Sequence, residues 1–131
     1  MDLKKLFPAF EDDRGVITDI LEHVSVDSVT LITSNKGAIR ANHYHKESIQ
    51  YSYILSGKVA AYTQKPDEKV EMAIMNPGDL LFDPTYERHE LIALEDSVIL
   101  IITQGPRGGK NYEEDTYRVP PLHEEYDSYD S

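Results

Sequence analysis

The sequence predicts a single all-β, antiparallel domain, a sandwich or barrel. Short β-rich runs recur between turn signals, which is the spacing of such folds. No helical periodicity persists for two turns. The chain of 131 residues is long enough for one core, with 40% apolar residues and nine Tyr, three Phe and no Trp.

The strands follow in order. Val16–Glu22 comes after the turn Asp13-Arg-Gly15. Ser28–Ser34 ends at Asn35-Lys-Gly37 and is followed by Ile39–His45. Ile49–Leu55 and Lys58–Gln64 flank Ser56-Gly57, which reads as a tight hairpin with Gly57 supplying positive φ. Pro66-Asp67 turns the chain into Lys69–Met75, and Asn76-Pro-Gly78 leads into Asp79–Phe82. Asp83-Pro84 precedes Glu90–Leu94, and Glu95-Asp96 precedes Ser97–Thr103. The barrel is thus placed in residues 1–104. Residues 105–131 form a basic loop, Gly105-Pro-Arg-Gly-Gly-Lys110, and an acidic, Tyr-rich tail with seven acids and one strong base from Asn111 on. The loop reads as a flexible connection rather than a phosphate cradle, and the tail as a solubilising segment, partly disordered or docked on the barrel or a partner.

A formal charge of −11 argues against binding nucleic acid or anionic membranes. No stretch reaches the roughly 18 apolar residues of a membrane span. The absence of cysteine excludes disulfides and thiolate chemistry and fits the cytoplasm.

His43 and His45 carry the chemical signal. Residues i and i+2 of a strand point to one face, so two imidazoles aim at one point. With His89 and the amide of Gln50 they could form a site for a divalent metal such as Zn, Fe, Ni or Mn. Such a site lacks a carboxylate, which lowers affinity and sharpens Lewis acidity. Without a metal, one histidine can act as a general base near neutral pH. Glu47 reads as a solvated strand end, and His23 and His123 as surface residues. Tyr51 and Tyr53 share one strand face, suited to stacking on a sugar or base or to core packing.

The segment Gly37 to Ala93 resembles the cupin superfamily. Gly37, five residues, His43-Tyr-His45, four residues, Gln50, six residues and Gly57 follow its first motif. Gly78, Pro84, Tyr86 and His89 follow its second. Gln50 stands where the motif has Glu, Tyr86 where it has Gly, and Ala93 where it has Asn. The resemblance implies a jelly-roll β-barrel, commonly dimeric, here a homodimer. Phe10-Glu-Asp-Asp-Arg-Gly15 and Ile39-Arg-Ala-Asn-His-Tyr44 resemble the small sugar-nucleotide cupins: deoxysugar 3,5-epimerases, 3,4-ketoisomerases and the cupin half of capsular-polysaccharide reductases. That likeness implies a nucleotide-sugar substrate, no organic cofactor, His43 as base, and Arg14 and Arg40 facing the phosphates. Arg40 alternatively forms a structural ion pair, and Arg14 alternatively holds a turn beside Asp12 or Asp13. The epimerases' tyrosine has candidates in Tyr44, Tyr53 and Tyr112, of which Tyr53 is assigned to catalysis and Tyr51 to substrate binding. The alternatives are a metal-dependent dioxygenase or lyase and a non-catalytic sugar- or metabolite-binding protein.

Overall fold

A computed structural model describes residues 1–106 and 113–129. Two five-stranded antiparallel sheets pack face to face as a jelly roll. The strands are β1 (Asp2–Lys5), β2 (Phe10–Asp12), β3 (Gly15–Ile17), β4 (Ser28–Ser34), β5 (Ile39–Tyr44) and β6 (Ile49–Ser56). They continue with β7 (Val59–Gln64), β8 (Glu71–Met75), β9 (Asp79–Asp83), β10 (Arg88–Ala93), β11 (Ser97–Gln104) and β12 (Tyr117–Arg118), before the helix α1 (Leu122–Ser128). One sheet runs β1-β9-β6-β11-β4 and the other β12-β5-β10-β7-β8, while β2 and β3 pair as a separate hairpin.

Alternation explains the core. Ile54, Val59, Ala61, Met75, Leu81, Leu91, Ile99 and Ile101 interdigitate between the sheets. The opposite faces of their strands look outward. Towards one end, buried polar residues replace the aliphatic ones: His43, Gln50, Ser52 and His89.

Several local expectations change. Ser56-Gly57 is not a hairpin: β6 and β7 lie in different sheets. Gly57 (φ 92°) is a corner between the sheets, and a Cβ there would meet Ser97 and the Asp96 carbonyl. The strand expected over Val16–Glu22 ends at Ile17. The helix α1 was missed because its apolar contact is short; Leu122 is its one buried residue. The tail contributes β12, which pairs Tyr117 with Tyr44 and Arg118 with His43 on β5. Most of the basic loop and Tyr112 lie outside the described residues. Among the described residues no helix is long and apolar enough to cross a membrane.

Candidate functional site: a three-histidine cluster

β5 and β10 bring the histidines together. His89 faces His43 across the antiparallel pair. A bulge then leaves Asn42 between the pairs His89–His43 and Glu90–Ala41. Ala41 and Asn42 adopt φ of 75° and 60°, a left-handed conformation that costs non-glycine residues free energy. Asn42 is held from the tail, its carbonyl accepting from the Val119 amide at 2.9 Å and its Oδ1 from the Leu122 amide at 3.1 Å.

The His43 ring lies 4.7 Å from both the His45 and the His89 rings. All three side chains are buried. His45 Nδ1 lies 2.9 Å from the Asp115 carbonyl. A carbonyl only accepts, so Nδ1 carries the proton and Nε2 is left as acceptor. Burial pushes His45 below the ordinary imidazole value, against the Asp115 hydrogen bond and one to the Gln50 side chain. Burial pushes His89 down to about 4, opposed by the Glu87 carbonyl 3.4 Å from its Nδ1. At neutral pH both rings are therefore uncharged and carry a lone pair.

Neutral imidazoles are the form that metals take. One nitrogen from each of His43, His45 and His89 lies within 4.8 Å of the others. A tetrahedral site with metal–nitrogen bonds of roughly 2.0–2.1 Å needs about 3.4 Å between nitrogens. The donor set fits a divalent metal, and the rings would have to close inward to hold it. Gln50 adds an amide; its Nε2 is 3.4 Å from Thr103 Oγ1.

The cluster opens into a cavity of about 200 Å³ whose lining includes Arg40, His43, Gln50, Ser52 and His89 above Leu91 and Ile99. Arg40 donates from Nε to Ser34 Oγ at 2.7 Å and from Nη2 to the Thr33 carbonyl at 2.8 Å. Arg40 is exposed at the cavity rim, and no carboxylate pairs with it among the described residues. A groove of about 390 Å³ on the outer face of the other sheet contains no histidine and is lined partly by Tyr51, Leu80 and Phe82.

The other residues are placed elsewhere. Gln50, Ser52 and Ile54 point inward from β6, so period two turns Tyr51 and Tyr53 away from the cluster. Tyr51 packs on Phe82, with ring centroids 5.0 Å apart. Tyr44 stacks outside between Tyr117 and Tyr86, at 5.2 and 6.3 Å. Arg14 is exposed on the β2–β3 hairpin and holds Asp12 at 2.6 Å; the hairpin pairs with neither sheet. Glu47 is exposed, as expected. His123 is not a free surface residue: it is bonded to buried Glu90. Asp115 was hidden among seven tail acids. Its carboxylate accepts from the amides of Lys46, Glu47 and Ser48 at 2.9 to 3.2 Å, a link across about seventy positions that no spacing announces.

No protein-family model and no curated protein matches the sequence. Solved structures do. The chain is similar to a sugar 3,4-ketoisomerase from Thermoanaerobacterium thermosaccharolyticum, solved with TDP (TM-score 0.74, 23% identity, 98% of this chain and 96% of that one). It is similar to dTDP-4-dehydrorhamnose 3,5-epimerase from Sulfolobus tokodaii (0.72, 21%, 89% and 75%). It is also similar to an epimerase from Mycobacterium tuberculosis (0.76, 14%, 89% and 67%). The protein has the cupin fold, and its structural neighbours include sugar-nucleotide ketoisomerases and epimerases.

Proposed function

We propose that the protein is an isomerase or epimerase of a keto-deoxysugar nucleotide, acting in the cytoplasm as a homodimer. The observation that carries this reading is the position of His43: packed against two further imidazoles, facing a small cavity with the Arg40 guanidinium at its rim. The fold neighbours that act on sugars with a nucleotide or deoxysugar support it.

The reaction needs a base beside a carbon α to a ketone. His43 would take the C–H proton, the electron pair moving into the 4-keto group to give an enediolate. Protonation of the same carbon from the opposite face, by water or a second acid while His43 keeps the proton it took, inverts it. Transfer of a proton between the two oxygens, followed by protonation of the former carbonyl carbon, moves the ketone. Neutral neighbours keep His43 from facing a second positive charge when it is protonated. The cavity is smaller than the roughly 300–1,000 Å³ that encloses a drug-sized ligand. It would take the sugar ring and leave the nucleotide at the rim, where Arg40 meets phosphate. Arg14 would join only from the hairpin of the second copy. That hairpin exposes Phe10, Val16 and Ile17, and edge strand β4 exposes Val29 and Leu31, surfaces suited to a dimer contact.

A second reading keeps the cluster as a metal site, with His43, His45 and His89 as ligands and Gln50 nearby. A bound divalent ion would supply Lewis acidity. It would also occupy the His43 lone pair, so the same ring cannot serve as base and ligand together.

The test is solvent deuterium incorporation into thymidine- and uridine-linked 4-keto sugars. Exchange by the parent, lost in His43→Ala, is the expected result. No exchange with any of these compounds would end the isomerase reading.

A further inference from the structure

We infer that Asp115 is a positioning residue of the histidine cluster, acting through His45. The inference extends the isomerase reading where it concerns turnover, and stands on geometry alone where it concerns His45.

The turn after β5 is fastened from one point. Asp115 is 4% exposed, and its two carboxylate oxygens accept from three successive amides, Lys46, Glu47 and Ser48. Burial alone would raise this carboxyl. The amides of Ser48, Lys46 and Glu47 together hold it below its ordinary value. The same residue's carbonyl takes the proton of His45 Nδ1. Side chain and main chain of one residue thus fix both the backbone following His45 and the tautomer of its ring. Two residues on, β12 pairs with Tyr44 and His43, and the Val119 amide clamps the bulge at Asn42. The tail therefore brackets His43 and His45 from both sides.

The chemical consequence lies at Nε2. With Nδ1 protonated, the buried Nε2 is an acceptor towards the cluster. The other tautomer would put an N–H there and leave the Asp115 carbonyl without its donor, so the ring would lose the contact that sets its orientation. An outer hydrogen bond that sets ring tautomer and orientation is typically worth about 10- to 100-fold in function.

The test uses the full chain with ¹⁵N-labelled histidine, His45 being assigned by the loss of its signals in His45→Gln. In the parent, His45 is expected as a single neutral form protonated at Nδ1. A parent His45 protonated at Nε2 overturns the inference without any variant at Asp115. In Asp115→Ala, a mixture of the two tautomers is expected, with kcat down about 10- to 100-fold and KM unchanged. Asp115→Asn, which keeps one acceptor oxygen, is expected to recover part of both. A folded Asp115→Ala with the parent tautomer and the parent kcat overturns the assignment. Absence of turnover in the parent would sink the isomerase reading and leave the tautomer comparison to decide this one.

Discussion

His123 Nδ1 lies 2.9 Å from Oε2 and 3.0 Å from Oε1 of Glu90, a side chain with no exposure to solvent. Glu90 leaves β10 on the face opposite His89, and the His123 amide donates to it as well, at 2.9 Å. The first turn of α1 is thus fixed to the sheet that carries the cluster.

A pH dependence follows. The hydrogen bond to Glu90 raises His123 above its ordinary value, the charges of Glu90, Glu124 and Asp127 adding to it against partial burial. A group whose folded value is raised stabilises the fold fully below its unfolded value of about 6.5. That contribution is lost as pH rises through the higher folded value. The parent should lose thermal stability relative to Glu90→Gln between pH 6 and pH 9. His123→Ala should cost on the order of 1 kcal/mol at pH 6. Parallel melting curves for parent and Glu90→Gln across that range would refute the pairing.

His43 and Arg40 should separate in kinetics. His43→Gln removes the base and should lower kcat by about 10² to 10⁴. Arg40→Lys keeps a charge but loses the fork that spans Ser34 and Thr33, and should raise KM by about 10- to 100-fold with a smaller change in kcat. Steady-state kinetics on an exchanging substrate distinguish the two. A kcat effect confined to Arg40 would reverse the assignments.

Zinc should inhibit. If His43 is the base, an ion held by His43, His45 and His89 takes its lone pair, and saturating Zn²⁺ should suppress exchange. A chelator should restore it. Elemental analysis of the zinc-treated protein should find metal in the parent and none in His43→Ala/His45→Ala. Activity that instead requires added metal would move the chemistry to the Lewis-acid reading.

Gly57→Ala should destabilise the fold by about 3 kcal/mol. The residue sits at φ 92°, and an added Cβ would come 2.5 Å from the Asp96 carbonyl oxygen and 2.7 Å from Ser97 Cα. Both contacts involve backbone, which cannot swing away. A denaturation midpoint equal to the parent's would show that the corner yields.

The order of elements was legible because it depends on local pattern. The β-rich runs from Ser28 to Ser34 and from Ser97 to Thr103, bounded by turn residues, give β4 and β11 nearly to the residue. Parity also placed His43 with His45 and could have placed Tyr51 and Tyr53: once Gln50 points inward, its neighbours at odd steps point out.

What the sequence by itself determined was the strand periodicity, the turns, and a set of histidines at fixed spacing. Those depend on alternating side chains and backbone preferences within a few residues. Tertiary structure alone decided that Ser56-Gly57 crosses between sheets and that Asn42 sits in a strained bulge. It alone decided that Arg40 meets a hydroxyl and a carbonyl instead of a carboxylate. It also chose Asp115 and Glu90 from the acids of a strongly acidic chain. These choices depend on which groups lose water together when distant segments pack, and a buried carboxylate must find its partners wherever the fold brings them.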